Sequence, residues 1–405
     1  MKVFEINSVP YGSTGRIMFQ IADKVREQGG KAITSCSYTK RRNITFPEDF
    51  YPIGNALGKF LHIKLAEITG RHGCYSSYAT KMLIREINKE NPDIIHIHNI
   101  HGWFVNIPLL FNYFKDCGKP VVWTFHDCWP FTGHCPFYTL AACDKWKKGC
   151  RECPKYRDYP MSFADDSVFQ YNLKKKAFTG IQNLTIVTPS RWLANETRKS
   201  FLSGYNTVVI NNGIDTAIFQ PSKSTFRKRF GIEDKVILLG VAFDWGERKG
   251  LHYFERLGIE LGDKYQIVLV GVNESQAKNL SSRFILIPST QNQKELAEIY
   301  SAADVFVNPT LEDNFPTVNI EALACGTPVL TFQTGGSPEA IDSSCGWIVP
   351  YGDYEAMKCV LEGIDRKSAE IEKNCVEKGR HYKKDDKYLE YVKLFDTLVG
   401  EKNEF

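Results

Sequence analysis

The feature that most constrains this chain is an alternation of strand-like and helix-like segments. Helix-like segments, with apolar residues three or four positions apart, include Ile17–Glu27, Ala79–Glu90 and Lys294–Ala302. Between such segments lie short apolar runs, and this alternation predicts an α/β fold of parallel sheets covered by helices. The predicted strands are Val3–Ile6, Ile94–His98, Val121–Phe125, Leu184–Thr188, Val208–Ile210, Val236–Val241, Gln266–Val270 and Val305–Val307.

The alternation starts twice, and 405 residues are enough for two domains. The first set of segments covers residues 1–189 and the second covers residues 190–380. Residues 381–405 predict a final helix with an apolar stripe that must cover another part of the protein. The Cys-, Pro- and aromatic-rich segment 128–161 interrupts the first set as a long irregular insert.

Composition excludes several classes of protein. A formal net charge of +4, with no concentrated basic face in the sequence, argues against nucleic acid as a partner. The N-terminus lacks the apolar stretch of a signal peptide, and no run is long enough to span a membrane. We therefore expect a cytoplasmic protein whose twelve cysteines are mostly reduced.

The segment from residue 302 to residue 328 combines a strand, a polar loop and a helix. The loop contains Asp313, and the predicted helix Thr317–Ala324 contains Glu321. A loop that leads from a strand into a helix is a common ligand site in open α/β sheets, and a carboxylate there can accept hydrogen bonds from a sugar diol. The alternative is that Asp313 caps the helix and Glu321 is solvated.

This segment resembles the acidic motif of glycosyltransferase family 4, whose members are retaining enzymes with the GT-B fold. Asp313, Phe315 and Glu321 stand at the motif's positions. The family usually has Glu at the first position, so Asp313 is a departure that keeps the charge with a shorter reach. The neighbouring Glu312 could substitute for it.

Other segments follow in the family's order across the second half of the chain. The basic turn Arg248-Lys249-Gly250 resembles the site that holds the donor phosphates, although the family's preceding Arg is absent. We predict that Lys249, and secondarily Arg248, compensates the charge of the leaving diphosphate; the alternative is a solvated basic turn. The other matching segments are Ser190–Trp192, Asn212–Asp215 with Phe219 and Pro221, Thr334–Gly336 with Pro338 and Glu339, and Gly346–Asp353.

In the first half, a glycine-rich turn follows the first strand and contains Gly12, Gly15 and Arg16. Such a turn lets backbone N–H groups approach a phosphate or a sugar closely. The resemblance implies that these three residues contact the ligand; the alternative is that the glycines only tighten the turn.

Histidines follow two of the predicted strands. His126-Asp127 resembles the family's HD element, in which the histidine lies near the donor sugar, and Asp127 could fix its tautomer. The alternative is a satisfied structural histidine. His96, His98 and His101 are expected to be polar cleft residues, with no acid or cysteine nearby in the sequence to complete a metal set.

The insert 128–161 contains four cysteines with the spacing C-x7-C-x6-C-x2-C, and Cys128 and His134 lie close by. Four thiols that end in C-x2-C can close a tetrahedral zinc site, which would be structural because it has no open position. The alternatives are an iron–sulfur cluster and four separate thiols. The four are Cys135, Cys143, Cys150 and Cys153.

The resemblance implies two Rossmann-like domains that face a cleft, with the acceptor on the first, the donor nucleotide on the second and the final helix crossing back to the first. It implies a UDP- or GDP-sugar donor and a saccharide or lipid-linked saccharide acceptor in bacterial capsule or exopolysaccharide synthesis. Peripheral contact with the inner membrane is expected, and no cofactor is required for catalysis. The alternatives are a nucleotide-sugar epimerase of similar fold and a non-catalytic protein that binds nucleotide sugars.

Overall fold

The computed structural model describes residues 1–40, 45–278 and 280–400, and the chain divides into two compact units. Unit 1 comprises Met1–Asn211 together with the C-terminal residues from Lys387 onward, and unit 2 comprises Asn212–Asp386. The division therefore lies at 211/212 and 386/387, whereas the predicted boundaries were 189/190 and 380/381. The last five residues of the predicted segment 381–405 lie outside the described residues.

Unit 1 is built on a seven-stranded parallel sheet with the order β3-β2-β1-β4-β5-β6-β7. Its strands β1, β4, β5 and β6 are almost fully buried, as expected for a parallel sheet with helices on both faces. Its elements are β1 (Lys2–Asn7), α1 (Gly12–Glu27), β2 (Lys31–Ser37), β3 (Phe50–Ile53), α2 (Ala56–Thr69), α3 (Ser77–Glu90), β4 (Ile94–Ile97), α4 (Ile107–Asp116), β5 (Val121–Thr124), α5 (Ser167–Phe178), β6 (Leu184–Thr188), α6 (Arg191–Arg198) and β7 (Asn206–Val209).

Unit 2 is built on a six-stranded parallel sheet with the order β10-β9-β8-β11-β12-β13. Its elements are α7 (Phe226–Phe230), β8 (Val236–Val241), α8 (Leu251–Glu260), β9 (Tyr265–Val270), α9 (Glu274–Ala277), β10 (Ile285–Ile287), α10 (Gln293–Ala302), β11 (Val305–Asn308), α11 (Thr317–Ala324), β12 (Val329–Phe332), β13 (Gly346–Val349), α12 (Tyr354–Glu362) and α13 (Ala369–Arg380).

Each sheet has one point at which the order of its strands reverses. In unit 1 this point lies between β1 and β4, and in unit 2 it lies between β8 and β11. Loops that leave the carboxyl ends of two such strands diverge to opposite faces of the sheet and leave a crevice between them. The fold therefore places the loops after β1, β4, β8 and β11 where open α/β sheets bind their ligands.

The last helix, α14 (Lys384–Gly400), provides the apolar stripe that the sequence predicted. Tyr388, Tyr391, Val392 and Phe395 are buried, and they form one hydrophobic cluster with residues of β1, α1, β2, β4, β5 and β6. The helix thus covers one face of the sheet of unit 1. No helix among the described residues has the length and apolar character that a membrane span requires.

All eight predicted strands are present, with ends shifted by no more than two residues, but β2, β3, β10, β12 and β13 were not predicted. The strands β3 and β10 are edge strands of four and three residues, too short to show a clear period. Because β7 pairs in parallel with β6, residues 190–211 belong to unit 1 in the structure.

Candidate active site

In unit 2, the loops after β8 and β11 meet at the reversal point of the sheet. The Nζ atom of Lys249 lies 2.5 Å from Oδ2 of Asp313, and both side chains are largely buried. The backbone N–H of Leu311 donates to the carbonyl of Arg248 at 2.8 Å, which joins the two loops. The structure thus brings together the basic turn and the acidic loop that the sequence had placed 64 residues apart.

Arg248 and Glu312 belong to the same cluster. The Nη1 atom of Arg248 donates to the backbone carbonyl of Glu312 at 2.8 Å, so part of this guanidinium supports the acidic loop. Lys249 carries three ammonium donors, and its ion pair with Asp313 employs one of them. The roles of Lys249 as the main ligand of the donor phosphates and of Arg248 as the second stay predictions.

A third loop, after β12, completes the cluster and depends on a glycine. Gly335 has a φ of +52°, and a Cβ atom added to it would lie 1.9 Å from the carbonyl oxygen of Asp313. The next residue, Gly336, donates its N–H to the same carbonyl at 3.1 Å. Only glycine fits at position 335, because any side chain would push the acidic loop away.

Glu321 lies on α11 and is almost fully buried. The hydroxyl of Tyr300 donates to its Oε2 atom at 3.4 Å. Burial, and then the Glu321 charge, hold the pKa of Tyr300 well above 10, so this phenol stays protonated and can donate. The role of Glu321 in ribose binding stays a prediction.

In unit 1, the turn after β1 leads into α1. Gly12 has a φ of +71° and is exposed, as is Arg16. Gly15 is buried, and a Cβ atom added to it would lie 2.6 Å from the backbone carbon of Pro10. Close packing of the helix on the loop therefore explains Gly15 without a ligand, whereas Gly12 and Arg16 stay accessible to one.

His126 follows β5 and is held by a buried polar chain. Its Nε2 atom lies 3.0 Å from Nδ1 of His98, whose Nε2 atom lies 3.1 Å from Oε2 of Glu5 on β1. Burial lowers the pKa of both histidines to about 3, so both are neutral near pH 7. When Glu5 is ionised, it accepts from His98 Nε2–H, and His98 Nδ1 then accepts from His126 Nε2–H.

This arrangement corrects two expectations about the histidines. Asp127 lies 2.9 Å from Nε2 of His101 and accepts from the backbone N–H of Trp129, so it orients His101, and His98 is the partner that fixes His126. His96 and His98 are fully buried and are therefore not cleft-lining residues.

The acid that the sequence had not connected with these histidines is Glu5. It was missed although a charged residue inside the apolar run of β1 is itself a signal of a buried polar contact. Among the described residues, the ligand atoms of Glu5, His96 and His98 form one group within 4.8 Å. His96 also lies 2.8 Å from Oγ1 of Thr124, so we interpret the group as a buried hydrogen-bond network.

Two family models match separate parts of the chain. Residues 55–218 match the model described as Glycosyltransferase Family 4, and residues 233–362 match the model described as Glycosyl transferases group 1. Together with the two sheets and the order of the loops, these matches define the class of protein. The chain contains a Glycosyltransferase Family 4 domain and a Glycosyl transferases group 1 domain, and it has the two Rossmann-like units of the GT-B fold.

Two relatives with named activities are similar to this chain over more than half of its length. The chain is 26% identical to a putative colanic acid biosynthesis glycosyl transferase, WcaC, of Escherichia coli. The 270 aligned residues cover 63% of this chain and 63% of that relative. It is 24% identical to the N,N'-diacetylbacillosaminyl-diphospho-undecaprenol alpha-1,3-N-acetylgalactosaminyltransferase of Campylobacter jejuni. The 261 aligned residues cover 59% of this chain and 68% of that relative.

One similar solved structure is HepE from Anabaena in complex with UDP-glucose. The superposition of the two structures has a TM-score of 0.64 at 13% sequence identity, and it covers 98% of this chain and all of the HepE chain. A likeness at this identity supports the fold of both units.

Proposed function

We propose that this protein is a retaining glycosyltransferase that moves a sugar from a nucleotide-sugar donor to a saccharide acceptor. The observation that carries the proposal is the cluster of Arg248, Lys249, Glu312 and Asp313 at the reversal point of unit 2. A basic turn beside an acidic loop suits a ligand that joins a diphosphate to a polyhydroxylated sugar. The named relatives are glycosyltransferases.

Each residue then has a part in the transfer. Lys249, with Arg248, compensates the negative charge that builds on the diphosphate as its bond to the sugar breaks. Glu321 binds the ribose, and Asp313, Glu312 and His126 address the donor sugar. The anomeric configuration is retained without a side-chain nucleophile, because a departing phosphate oxygen accepts the proton of the acceptor hydroxyl. The chemistry requires no metal or other cofactor.

The first test is slow hydrolysis of a panel of UDP-, GDP- and dTDP-sugars by the purified protein without acceptor. We expect release of the nucleoside diphosphate from one donor, with UDP-sugars favoured because the similar HepE structure holds UDP-glucose. Conversion of the sugar without nucleotide release would instead identify an epimerase. Binding of one nucleotide sugar, with no turnover when membrane acceptors are added, would identify a non-catalytic protein.

We further propose that the acceptor is lipid-linked and that α2 carries the protein to the membrane. Five apolar side chains form a stripe along the outer side of this helix, and they are between 43% and 67% exposed. His62 and Ala66 form its buried side. The backbone N–H of Phe163 donates to the carbonyl of Glu67, which adds another exposed aromatic residue beside the helix. The stripe consists of Leu57, Phe60, Leu61, Leu65 and Ile68.

Exposed apolar residues at helical spacing, accompanied by lysines, are typical of helices that lie in a membrane interface. Lys64 on the same helix is exposed, which suits anionic lipid, although its Nζ atom also pairs with Glu67; the half-buried Lys59 donates to the carbonyl of Tyr38. A groove of about 260 Å³ opens beside the start of α2, and its lining includes Tyr51, Tyr78 and Trp103. Aromatic side chains of this kind can pack against sugar rings, so the groove can receive the saccharide of an acceptor whose lipid stays in the membrane. The Campylobacter relative is named for an undecaprenol-linked substrate.

Flotation with vesicles tests this surface. We expect the protein to bind vesicles that contain phosphatidylglycerol more strongly than pure phosphatidylcholine vesicles, and Phe60→Ser combined with Leu61→Ser to reduce binding about tenfold or more. Ile259→Ser, which removes an 82% exposed apolar side chain from unit 2, is the matched control and should bind normally. Equal binding of both variants, or a dimer that α2 holds together, would contradict the proposal.

A further inference from the structure

The four cysteines of the insert 128–161 line one small cavity within unit 1. The volume of the cavity is about 20 Å³, which is close to the space that one water molecule occupies. Four thiols from a 19-residue stretch therefore surround room for a single atom or small molecule. The four are Cys135, Cys143, Cys150 and Cys153.

The backbone around the cavity donates hydrogen bonds to two of the sulfurs. The N–H of Gly133 lies 3.0 Å from Sγ of Cys150, and the backbone N–H of Lys155 bonds to the sulfur of Cys153. Gly133 is required for this approach, because a Cβ atom there would lie 2.6 Å from Cβ of Cys150. Backbone N–H groups directed at sulfur favour the thiolate form, which is the form that binds metal.

Positive charge surrounds the same cavity. Lys145, Arg151 and Lys155 line it. Behind it, the fully buried Lys174 donates to the carbonyls of Trp129 and Thr132, at 2.8 and 3.0 Å. A divalent ion with four thiolates has a net charge of about −2. Such a charge explains why a lysine is buried here without a carboxylate as its hydrogen-bond partner.

We propose that Cys135, Cys143, Cys150 and Cys153 bind one structural Zn²⁺ ion. Reduced thiolates in a tetrahedral set select zinc, and four protein ligands leave no position for substrate. No three of these sulfurs lie within 4.8 Å of one another in the described chain, and a tetrahedral site needs about 3.8 Å. The ion therefore draws the insert together, and the segment that follows His126 is ordered by it. This site stands independently of the transfer reaction.

Metal content is the direct test. Protein from zinc-supplemented cells should carry about one zinc per chain by mass spectrometry. Cys153→Ser should carry less than about a tenth of that amount, whereas Cys117→Ser, which removes a half-buried thiol of the same unit outside the cavity, should keep it. Titration of the unaltered protein with a mercurial reagent should release the zinc as four thiols react, so the result does not depend on how a variant folds.

Cobalt provides a second measurement. Protein purified with Co²⁺ in place of zinc should show the visible absorption of a tetrahedral cobalt thiolate, and Cys153→Ser should lack it. Three results would overturn the proposal: zinc-replete protein with almost no bound metal, thiols that react without zinc release, or brown protein that contains iron and sulfide.

Discussion

The two units place opposite kinds of side chain at the same point of similar sheets. At the reversal point of unit 2 the loops bring together charged residues, with Lys249 paired to Asp313. At the corresponding point of unit 1 they bring together buried neutral histidines, with His98 between Glu5 and His126. Seven of the nine histidines belong to unit 1. A diphosphate needs formal charge, which the loops of unit 2 supply and the neutral histidines of unit 1 do not, so the difference agrees with the proposal that unit 2 binds the donor.

The largest expected effect is acid unfolding of unit 1 before unit 2. Burial lowers the pKa of His72, His96 and His98 from 6.5 to about 3. Their neutral forms therefore stabilise the fold fully above pH 6.5, and this stability is lost as the pH falls toward 3. With about 1.4 kcal/mol per pH unit for each of the three groups, unit 1 should lose roughly 6 kcal/mol by pH 5. Calorimetry from pH 7.5 to 5 should show its transition moving to lower temperature.

Two further features of the chain affect the expected acid response: one opposes it, and the other provides an internal comparison. The raised pKa of Glu5 acts in the opposite direction, because protonation of this buried carboxyl as the pH falls stabilises the fold and offsets part of the loss. The two histidines of unit 2, His252 and His381, are exposed, so its transition should move little. Equal shifts of both transitions would show that the buried histidines do not govern the acid response.

The second prediction concerns the charged cluster of unit 2. Lys249→Ala should lower kcat/KM about 10²–10³-fold, because it removes the charge that we propose compensates the leaving diphosphate. The measurement is nucleotide release with the donor that the panel identifies. Lys264→Ala is the control, since Lys264 lies at the amino end of β9, whereas the cluster lies beyond the carboxyl ends of the strands, and it pairs with the exposed Asp365. If the activity of Lys249→Ala is within about threefold of that of the unaltered protein, Lys249 has only a structural role.

The contrast between the units also explains what the sequence could predict. Arg248, Lys249 and Asp313 were named from the sequence because they stand in short motifs that resemble those of the family, whereas the contact between Lys249 and Asp313 was not predicted. The two loops meet because β8 and β11 are neighbours in the sheet. The reason for Gly335 was not predictable, since it depends on a carbonyl 22 residues earlier in the chain.

The polar chain of unit 1 was not predictable from any short segment. Glu5, His98 and His126 come from three strands, and only the register of β1 with β4 and of β4 with β5 brings them together. Asp127 is adjacent to His126 in sequence but bonds His101, because neighbouring residues at a strand end point in different directions. The stripe on α2 has ordinary helical spacing, and only the structure shows that its apolar side is exposed.

The third prediction tests whether unit 2 recognises the ribose. Glu321→Gln should weaken binding of the released nucleoside diphosphate about tenfold, since it removes a charged acceptor. The ribonucleotide should bind more tightly than its 2'-deoxy analogue only while Glu321 is present, and calorimetry of both ligands measures this. Glu298→Gln, which alters an exposed carboxylate on α10, should leave both affinities unchanged. A preference for the ribonucleotide that survives Glu321→Gln would assign the ribose to another residue.

The smallest expected effect comes from Glu5, which acts on His126 only through His98. In Glu5→Gln the amide can either donate to or accept from His98, so the tautomer of His126 is no longer fixed. We expect kcat to fall less than about tenfold, which corresponds to at most about 1.4 kcal/mol, and its pH profile to change. Nucleotide affinity should stay the same, because the proposed nucleotide site lies in unit 2.

Thr124→Val separates this positioning role from general damage to the core of unit 1. Thr124 lies 2.8 Å from Nε2 of His96, whose Nδ1 atom lies 2.8 Å from Oε2 of Glu5. The variant changes a contact of His96 in the same buried network and leaves the contact between His98 and His126 in place. We therefore expect kcat and its pH profile to be unchanged. If both variants lower kcat alike, or if Glu5→Gln weakens nucleotide binding as much as it lowers kcat, the chain from Glu5 to His126 is structural only. The histidines of unit 1 would then support the fold, and the contrast with the charged cluster of unit 2 would be one of packing and not of ligand recognition.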